Sequence, residues 1–482
     1  MYLVRYSEIG LKGDRTRSAM EKMLIRNILS ALRSAGVDAK PVRQNGRIFI
    51  DCARGPAPEE TISRVFGVKS FSWVETVDFT SLEDLCNSAC SYFRDAVAGK
   101  TFAVRARRQG NHPFRSLDIE IMLGQMLREI SAGVDLEKPE FEALIEVRNS
   151  KAYMFSRIIP GPGGLPLGSQ SRMLALVSGG LDSPLAAWYM MKRGVMMDFL
   201  FISLADPFDT EIVQEQISRL VRNWGHGYRS RLHIVDGSKF LEFSRDGGLW
   251  KYPNITFKKG LYELAAALAR MTGCIGIVTG ESIGQVSSQT AENLYALSMS
   301  TSFPVFRPLI GMDKDEIVNA ARTRDLLPSR NLGEFCSLFA AKPVTSISVA
   351  ELESETVPDS AIAEMLETRR TVYPADASPE HVHNEIPDPA ADWEEVTVDL
   401  RKPETYREWH VPGAVNVSLD DIEEYANRYG KNTRFNLYCS EGLLSARAAG
   451  ILRKMGYSAS FYSLSEIRQK NVSVMDQKRF NI

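Results

Sequence analysis

Leu174-Ala-Leu-Val-Ser-Gly-Gly-Leu-Asp-Ser-Pro-Leu-Ala-Ala-Trp188 reads as a buried strand, a glycine-rich turn and the start of a helix. The glycines let the backbone approach a ligand closely and turn its N–H groups inward. Ser183 suits a helix N-cap, and Pro184 suits the first helical position, where its missing N–H costs nothing. The helix N-terminus adds partial positive charge, so the stretch fits an anion. No lysine follows the glycines, which excludes the loop of an ordinary NTPase. A bare Gly-Gly turn is more often only a tight turn. The full order of strand, Ser-Gly-Gly-x-Asp-Ser and helix is far more specific.

Around this stretch, apolar strands alternate with helices. Met173–Val177, Asp198–Phe201, Leu232–Val235, Ile275–Thr279 and Val305–Arg307 are the expected strands. Such strands predict a parallel sheet covered on both faces, with ligands across its carboxyl ends. Thr279-Gly-Glu-Ser-Ile-Gly-Gln-Val-Ser-Ser-Gln-Thr290 begins where one strand ends, and Arg307-Pro-Leu-Ile-Gly-Met-Asp-Lys314 follows another. Both are placed for nucleotide contacts; capping and turn formation are the ordinary alternative. Lys314 opens a helix and is suited to neutralising α-phosphate charge.

The chain has 482 residues, 44% hydrophobic and 24% charged, so several folded domains are expected. It has no run of about 18 apolar residues and no signal peptide, which predicts a cytoplasmic protein without membrane contact. Net charge is −2, yet residues 1–50 hold ten Lys/Arg against four Asp/Glu, and residues 351–400 hold two against fourteen. A basic front end and an acidic stretch are hidden in the total.

Upstream, short strands at 1–5 and 47–52 flank a helix over 17–33, and residues 60–160 read as a small α+β pattern. Its helices fall at 82–97 and 117–130, its strands at 101–107, 141–147 and 152–158. Arg105 and Arg107 lie two apart on one strand, hence on one face, as an RNA groove or a wet sheet surface would have them. Gly161-Pro-Gly-Gly-Leu-Pro166 punctuates the chain as a linker. Residues 349–389 read as an acidic, Pro-rich linker with room for one helix, and a smaller α/β unit follows.

Ser178–Ser183 matches the signature of the PP-loop ATP pyrophosphatases. Together with Thr279–Thr290, Arg307–Lys314 and Arg5-Tyr-Ser-Glu-Ile-Gly-Leu-Lys-Gly13, it resembles the tRNA 4-thiouridine synthetase family. That resemblance implies an α/β multidomain protein. Its parts are a ferredoxin-like domain (1–60), a THUMP domain (61–165), a PP-loop domain (166–348), the linker (349–389) and a rhodanese-like domain with a tail (390–482). It implies cleavage of ATP, with Mg²⁺, between the α and β phosphates, so no cation for γ-phosphoryl transfer is needed. Ser178, Gly179, Gly180, Leu181, Asp182, Ser183, Gly280, Gln285, Ser287 and Gln289 are then the ATP residues. Asp182 orients the loop or the metal-pyrophosphate group, and Lys314 screens charge. The front domains bind tRNA, with Arg105, Arg107, Lys12 and Arg15 as contacts, and phosphate contacts make binding salt-dependent.

Phe435-Asn-Leu-Tyr-Cys-Ser-Glu-Gly-Leu-Leu-Ser-Ala-Arg447 is a strand, a cysteine and a loop into a helix. A cysteine at a strand end is ordinarily buried filler. Val398-Asp-Leu-Arg401 and His410-Val-Pro-Gly-Ala414 precede it as in rhodanese domains, which makes Cys439 a persulfide carrier and Asp399, Arg401 and His410 structural. The loop contains Glu441 and no basic residue before Arg447, unlike a loop for anionic thiosulfate, so a cysteine desulfurase is the expected donor. Cys336, 103 residues upstream of Cys439, matches the family's second catalytic cysteine. It would resolve the intermediate as a disulfide that a reductant resets. Cys52, Cys86, Cys90 and Cys274 read as inert, and no protein metal site is expected. The rival function is a sulfur relay to a carrier protein of thiamine biosynthesis; a further one is a non-catalytic RNA-binding protein. A homodimer is left open.

Overall fold

The computed structural model describes residues 1–6, 8–44, 47–204, 208–244, 249–328, 339, 343–376, 393–440 and 442–469, with only the backbone of Arg43, Gln44, Phe208 and Leu443. The chain divides into two compact units, one of residues 1–169 and 192–194, the other of residues 170–191 and 195–482.

The first unit opens with β1 (Tyr2–Arg5), α1 (Asp14–Ser34), β2 (Lys40–Gln44), β3 (Arg47–Asp51), α2 (Pro56–Ile62) and β4 (Ser70–Trp73). Its second fold is β5 (Glu75–Asp78), α3 (Leu82–Val97), β6 (Thr101–Gln109), α4 (Ser116–Arg128), β7 (Gly133–Val134), β8 (Phe141–Arg148) and β9 (Lys151–Phe155), after which β10 (Ile159–Pro160) returns to pair with β4 of the first. Two five-stranded sheets result, β10-β4-β1-β3-β2 and β5-β9-β8-β6-β7. Period-2 alternation explains the second. Phe102 and Val104 on β6 face the α3–α4 core, which leaves Arg105 and Arg107 on the opposite face.

In the second unit the elements are β11 (Gln170–Val177), α5 (Asp182–Lys192), β12 (Val195–Ser203), α6 (Phe208–Trp224), β13 (Leu232–Asp236), α7 (Ser238–Phe243), α8 (Pro253–Thr272), β14 (Ile277–Val278), α9 (Ala291–Met299), β15 (Val305–Phe306) and α10 (Lys314–Arg322). After them come α11 (Val349–Ser354), α12 (Asp359–Glu367) and β16 (Arg370–Val372). The sheet order β15-β14-β11-β12-β13-β16 is parallel except for β16, which runs antiparallel to β13. This corrects the reading of 349–389 as linker with one helix: residues 349–372 hold two helices and an edge strand of the nucleotide-type sheet. Lys259 fastens the first of these helices by donating to the Leu352 and Glu355 carbonyls, and the strand is held by its pairing with β13. Three charged and β-branched residues, Arg370-Thr-Val372, carry too little periodicity to mark a strand.

The last fold is β17 (Glu394–Asp399), α13 (Pro403–Glu408), β18 (Val415–Asn416), α14 (Ile422–Ala426), β19 (Thr433–Cys439), α15 (Leu443–Lys454) and β20 (Ser458–Ser463), a parallel sheet in the order β18-β17-β19-β20. Among the described residues no helix is long and apolar enough to cross a membrane.

The β13–β16 pairing buries His233. Its Nδ1 is 2.9 Å from Thr371 Oγ1, and its Nε2 is buried with no hydrogen-bond partner among the described residues. Burial holds its pKa down at about 4, so the imidazole is neutral in the fold. The unfolded chain takes up that proton near pH 6.5. Stability from this group is therefore complete above pH 6.5 and is lost as pH falls toward 4, by roughly 3 kcal/mol. Chemical denaturation across this range should show that slope, and His233→Gln should flatten it. An unchanged slope contradicts the assignment.

Candidate active site

The loop between β11 and α5 is built by backbone geometry. Gly179 has φ +78°, in the left-handed region that favours glycine. α5 begins at Asp182, two residues earlier than the capping pattern predicts, so Ser183 and Pro184 lie inside its first turn. There the helix N–H groups have no intrahelical acceptor, and proline is still tolerated. Ser183 Oγ accepts from the Ser178 N–H at 3.4 Å and folds the loop over its own helix. From α6, Gln216 Nε2 donates to the Gly180 carbonyl at 3.1 Å and ties the loop to that helix.

The segment after β14 closes against this loop. A Cβ on Gly280 would lie 2.7 Å from both the Asp182 carbonyl carbon and the Ser183 nitrogen, so only glycine permits the approach. Gln285 Nε2 donates to Asp182 Oδ2 at 2.7 Å. Gln289 Oε1 accepts from the Ser282 N–H, and Asn293 donates to the Ser287 carbonyl, so these two positions brace the segment. Lys314, in the first turn of α10, reaches Asp182 at 3.1 and 3.3 Å. Asp313 caps that helix and forms a capping box with Glu316. The cation thus arrives from a separate helix and remains about half exposed, while Asp182 is largely covered. Of the predicted nucleotide residues, the structure brings together Ser178–Ser183, Gly280, Gln285 and Lys314.

Beneath Gly280 lies a buried network that the sequence did not single out. Glu281 accepts from Lys258 Nζ (2.9 Å), Arg307 Nε (2.8 Å), Tyr262 Oη (2.6 Å) and Thr279 Oγ1 (2.9 Å). Burial alone would raise the Glu281 pKa; the Lys258 and Arg307 cations outweigh it and hold it down at about 2. Removing one partner of such a group leaves buried charge uncompensated, at a cost of about 3–5 kcal/mol. Glu281→Gln should lower stability by that amount in urea titration, and Glu281→Leu paired with Lys258→Met should recover part of it. A loss under about 1 kcal/mol for Glu281→Gln contradicts the burial-and-pairing account. Glu281 and Arg307 stand in the quoted polar segments, but their partners Lys258 and Tyr262 come from α8, and no local pattern joins them.

Mg²⁺ normally binds through one or two carboxylates plus substrate phosphates. Asp182 fits that role for an ion entering with a nucleotide. Among the described residues no group of three or more His, Cys, Asp or Glu forms a protein metal site.

The second site is at the end of β19. Cys439 is 3% exposed. Its Sγ accepts the Gly442 N–H at 3.1 Å and lies 3.5 Å from Ser445 Oγ. Ser445, itself buried, is within 2.9 Å of the Gly442 and Tyr462 carbonyls and fixes the loop to α15 and β20. The sulfur therefore sits at the base of a cradle at a helix N-terminus, where an anion is favoured. Asp399 is fully buried and pairs with Arg401, whose Nη2 also donates to the Trp409 carbonyl. His410 stacks on Tyr406 with ring centroids 4.0 Å apart. These contacts give Asp399, Arg401 and His410 structural partners. Cys336 and Glu441 lie outside the described residues.

In the first unit, Arg107 is exposed and Arg105 half-exposed, the latter tied to Glu142 at 3.5 Å and to the Leu136 carbonyl. Lys12 and Arg15 are exposed at the entry to α1. Glu146, buried among Arg5, Arg47 and Arg148 at 3.4, 3.0 and 2.7 Å, leaves positive charge in excess there. Of Cys52, Cys86, Cys90 and Cys274, the second lies in the α3–α4 core and the third packs against it.

A glycine loop at the carboxyl end of a parallel sheet, a lysine supplied from another helix, and a cysteine cradled in an appended parallel fold define the class: a PP-loop protein with a rhodanese-like domain. Models of the ThiI ferredoxin-like domain, the THUMP domain, Thiamine biosynthesis protein (ThiI) and the Rhodanese-like domain match residues 1–72, 79–157, 168–357 and 378–466. The chain is 41% identical over 473 residues to a tRNA sulfurtransferase of Thermoplasma volcanium, covering 98% of each. It is 38% identical over 489 residues to that of Thermoplasma acidophilum, covering 99% of each. Its fold is similar to the crystal structure of a 4-thiouridine synthetase–RNA complex with bound ATP, with TM-score 0.64 and 32% identity over 77% of this chain and 98% of that one. The chain belongs to the tRNA sulfurtransferase family.

Proposed function

We propose that this enzyme forms 4-thiouridine in tRNA in two stages, activating uridine O4 with ATP and then replacing it with sulfur carried on Cys439. The family membership supports sulfur transfer to tRNA. The observation that carries the mechanism is the phosphate loop whose Asp182 pairs with a lysine, Lys314, supplied from outside it. In the first stage O4 attacks the α-phosphorus, and the bond to the β-phosphate breaks. Loop N–H groups receive pyrophosphate, and Lys314 screens the α-phosphate as charge builds. Asp182 and Gln285 hold Lys314 and the Gly280 segment in register.

In the second stage the terminal sulfur of the Cys439 persulfide attacks C4, and AMP departs with O4. That sulfur stands about 2 Å beyond Sγ, which helps a buried cysteine reach outward; opening of the cradle would supply the rest. The Cys336 thiolate then attacks Cys439 Sγ, the S–S bond breaks, the outer sulfur stays on C4, and a Cys336–Cys439 disulfide remains. An external dithiol returns the two electrons. A cysteine desulfurase is the proposed donor.

Single-turnover reactions with tRNA, Mg-ATP and polysulfide-loaded enzyme should give AMP and 4-thiouridine in equal amounts, and neither without ATP. 4-Thiouridine formed without ATP would overturn the reading. The thiamine description of one matching family model supports a second outlet for the sulfur, onto a carrier protein. In that case loaded enzyme should sulfurate such a carrier without tRNA.

A further inference from the structure

The carboxyl end of β12 carries a contact that the two-stage chemistry does not use. Arg447, in the second turn of α15, donates from Nη1 to the Leu204 carbonyl at 2.9 Å. Leu204 immediately follows β12 and is three residues beyond Phe201, the register partner of Val177. It therefore lies at the same sheet end as Ser178–Ser183, about 10 Å beyond the level of Val177 along the strand direction. Its peptide is held from the other side: Asp209 accepts from the Leu204 N–H and from Ser203 Oγ, each at 2.8 Å. Asp209 stands in the first turn of α6, and two turns later Gln216 of the same helix holds the Gly180 carbonyl. The helix is enclosed on several sides. Asp209, Thr210, Ile212, Val213, Gln216 and Ile217 are all buried. On α15, Arg453 is placed so that burial lowers its pKa and the charge of Glu211, on α6, opposes the change. The first two turns of α15 thus hold the sulfur cradle through Ser445 and meet the nucleotide-type sheet through Arg447.

We propose that Arg447 latches the sulfur-carrying domain to the Leu204 carbonyl, and that α6 connects this seat to the phosphate loop. Arg447 is a positioning residue, and the seat is where Cys439 delivers its sulfur; this second clause rests on the function proposed above. An arginine donor suits a strand-end carbonyl because its charged N–H makes a stronger hydrogen bond than a neutral one would.

The test uses the full-length chain. Arg447→Glu places a carboxylate against the carbonyl and should raise the radius of gyration in small-angle scattering. It should leave AMP formation on tRNA unchanged and slow single-turnover sulfur transfer from polysulfide-loaded Cys439 at least tenfold, since small misplacements at a reacting centre carry penalties of about that size or more. Arg447→Lys keeps a donor and should stay near wild type in both, which separates loss of the latch from misfolding. Scattering unchanged in Arg447→Glu overturns the latch. Scattering that expands while transfer keeps its rate overturns the delivery role. If the wild-type chain makes no AMP with tRNA, the proposed function fails, and scattering alone still decides the latch.

Discussion

Cys439→Ser is expected to abolish 4-thiouridine formation while ATP cleavage on tRNA continues. Serine is slightly smaller but keeps a hydrogen-bonding group where the sulfur meets Gly442 N–H and Ser445, so the cradle should fold. It cannot carry a second sulfur. The loss should be on the order of a thousandfold or more, the scale seen when a nucleophile is removed. Quantifying AMP and modified nucleoside in the same reaction separates the two stages. Residual thiolation above about 1% of wild type would assign the sulfur to another carrier, whereas loss of AMP as well would place Cys439 in activation.

The second large effect belongs to Asp182. Asp182→Asn keeps the shape and removes the charge that holds Lys314 at 3.1 Å, and it leaves the amide to compete with Gln285. Pyrophosphate release on tRNA should fall by about 10²–10³, the range for losing one preorganised electrostatic group. The deficit should appear mainly in kcat, because the lysine is needed most as charge develops on the α-phosphate. Loading of Cys439 should be unaffected, since the hydrogen bonds that hold its sulfur among the described residues come from the end of β19, the start of α15 and β20. A variant with wild-type pyrophosphate release would remove Asp182 from the activation chemistry.

The parallel sheet was legible because its strands are apolar runs ending in turn residues, and the loop because Ser178–Ser183 is contiguous. Lys314 could be named from its place after a strand, yet its pairing with Asp182, 132 residues away, is tertiary. Gln216 gives no local sign of holding the Gly180 carbonyl, for it is one polar residue on an amphipathic helix. Lys258 and Tyr262 look like ordinary helix residues until α8 is laid beneath β14. Burial is the other blind spot. A cysteine at a strand end has the same letters whether it is 3% exposed, as Cys439 is, or open to solvent. The strand Arg370–Val372 escaped notice because three residues carry too little alternation to signal one.

The most direct test labels the oxygen that is thought to leave. Enzyme with polysulfide-loaded Cys439 is mixed with Mg-ATP and tRNA carrying ¹⁸O at uridine O4, and AMP is analysed by mass spectrometry after one turnover. The account predicts one ¹⁸O atom in each AMP for every 4-thiouridine made. AMP without the label, alongside thiolated tRNA, would show that O4 is never bonded to phosphorus and would contradict it.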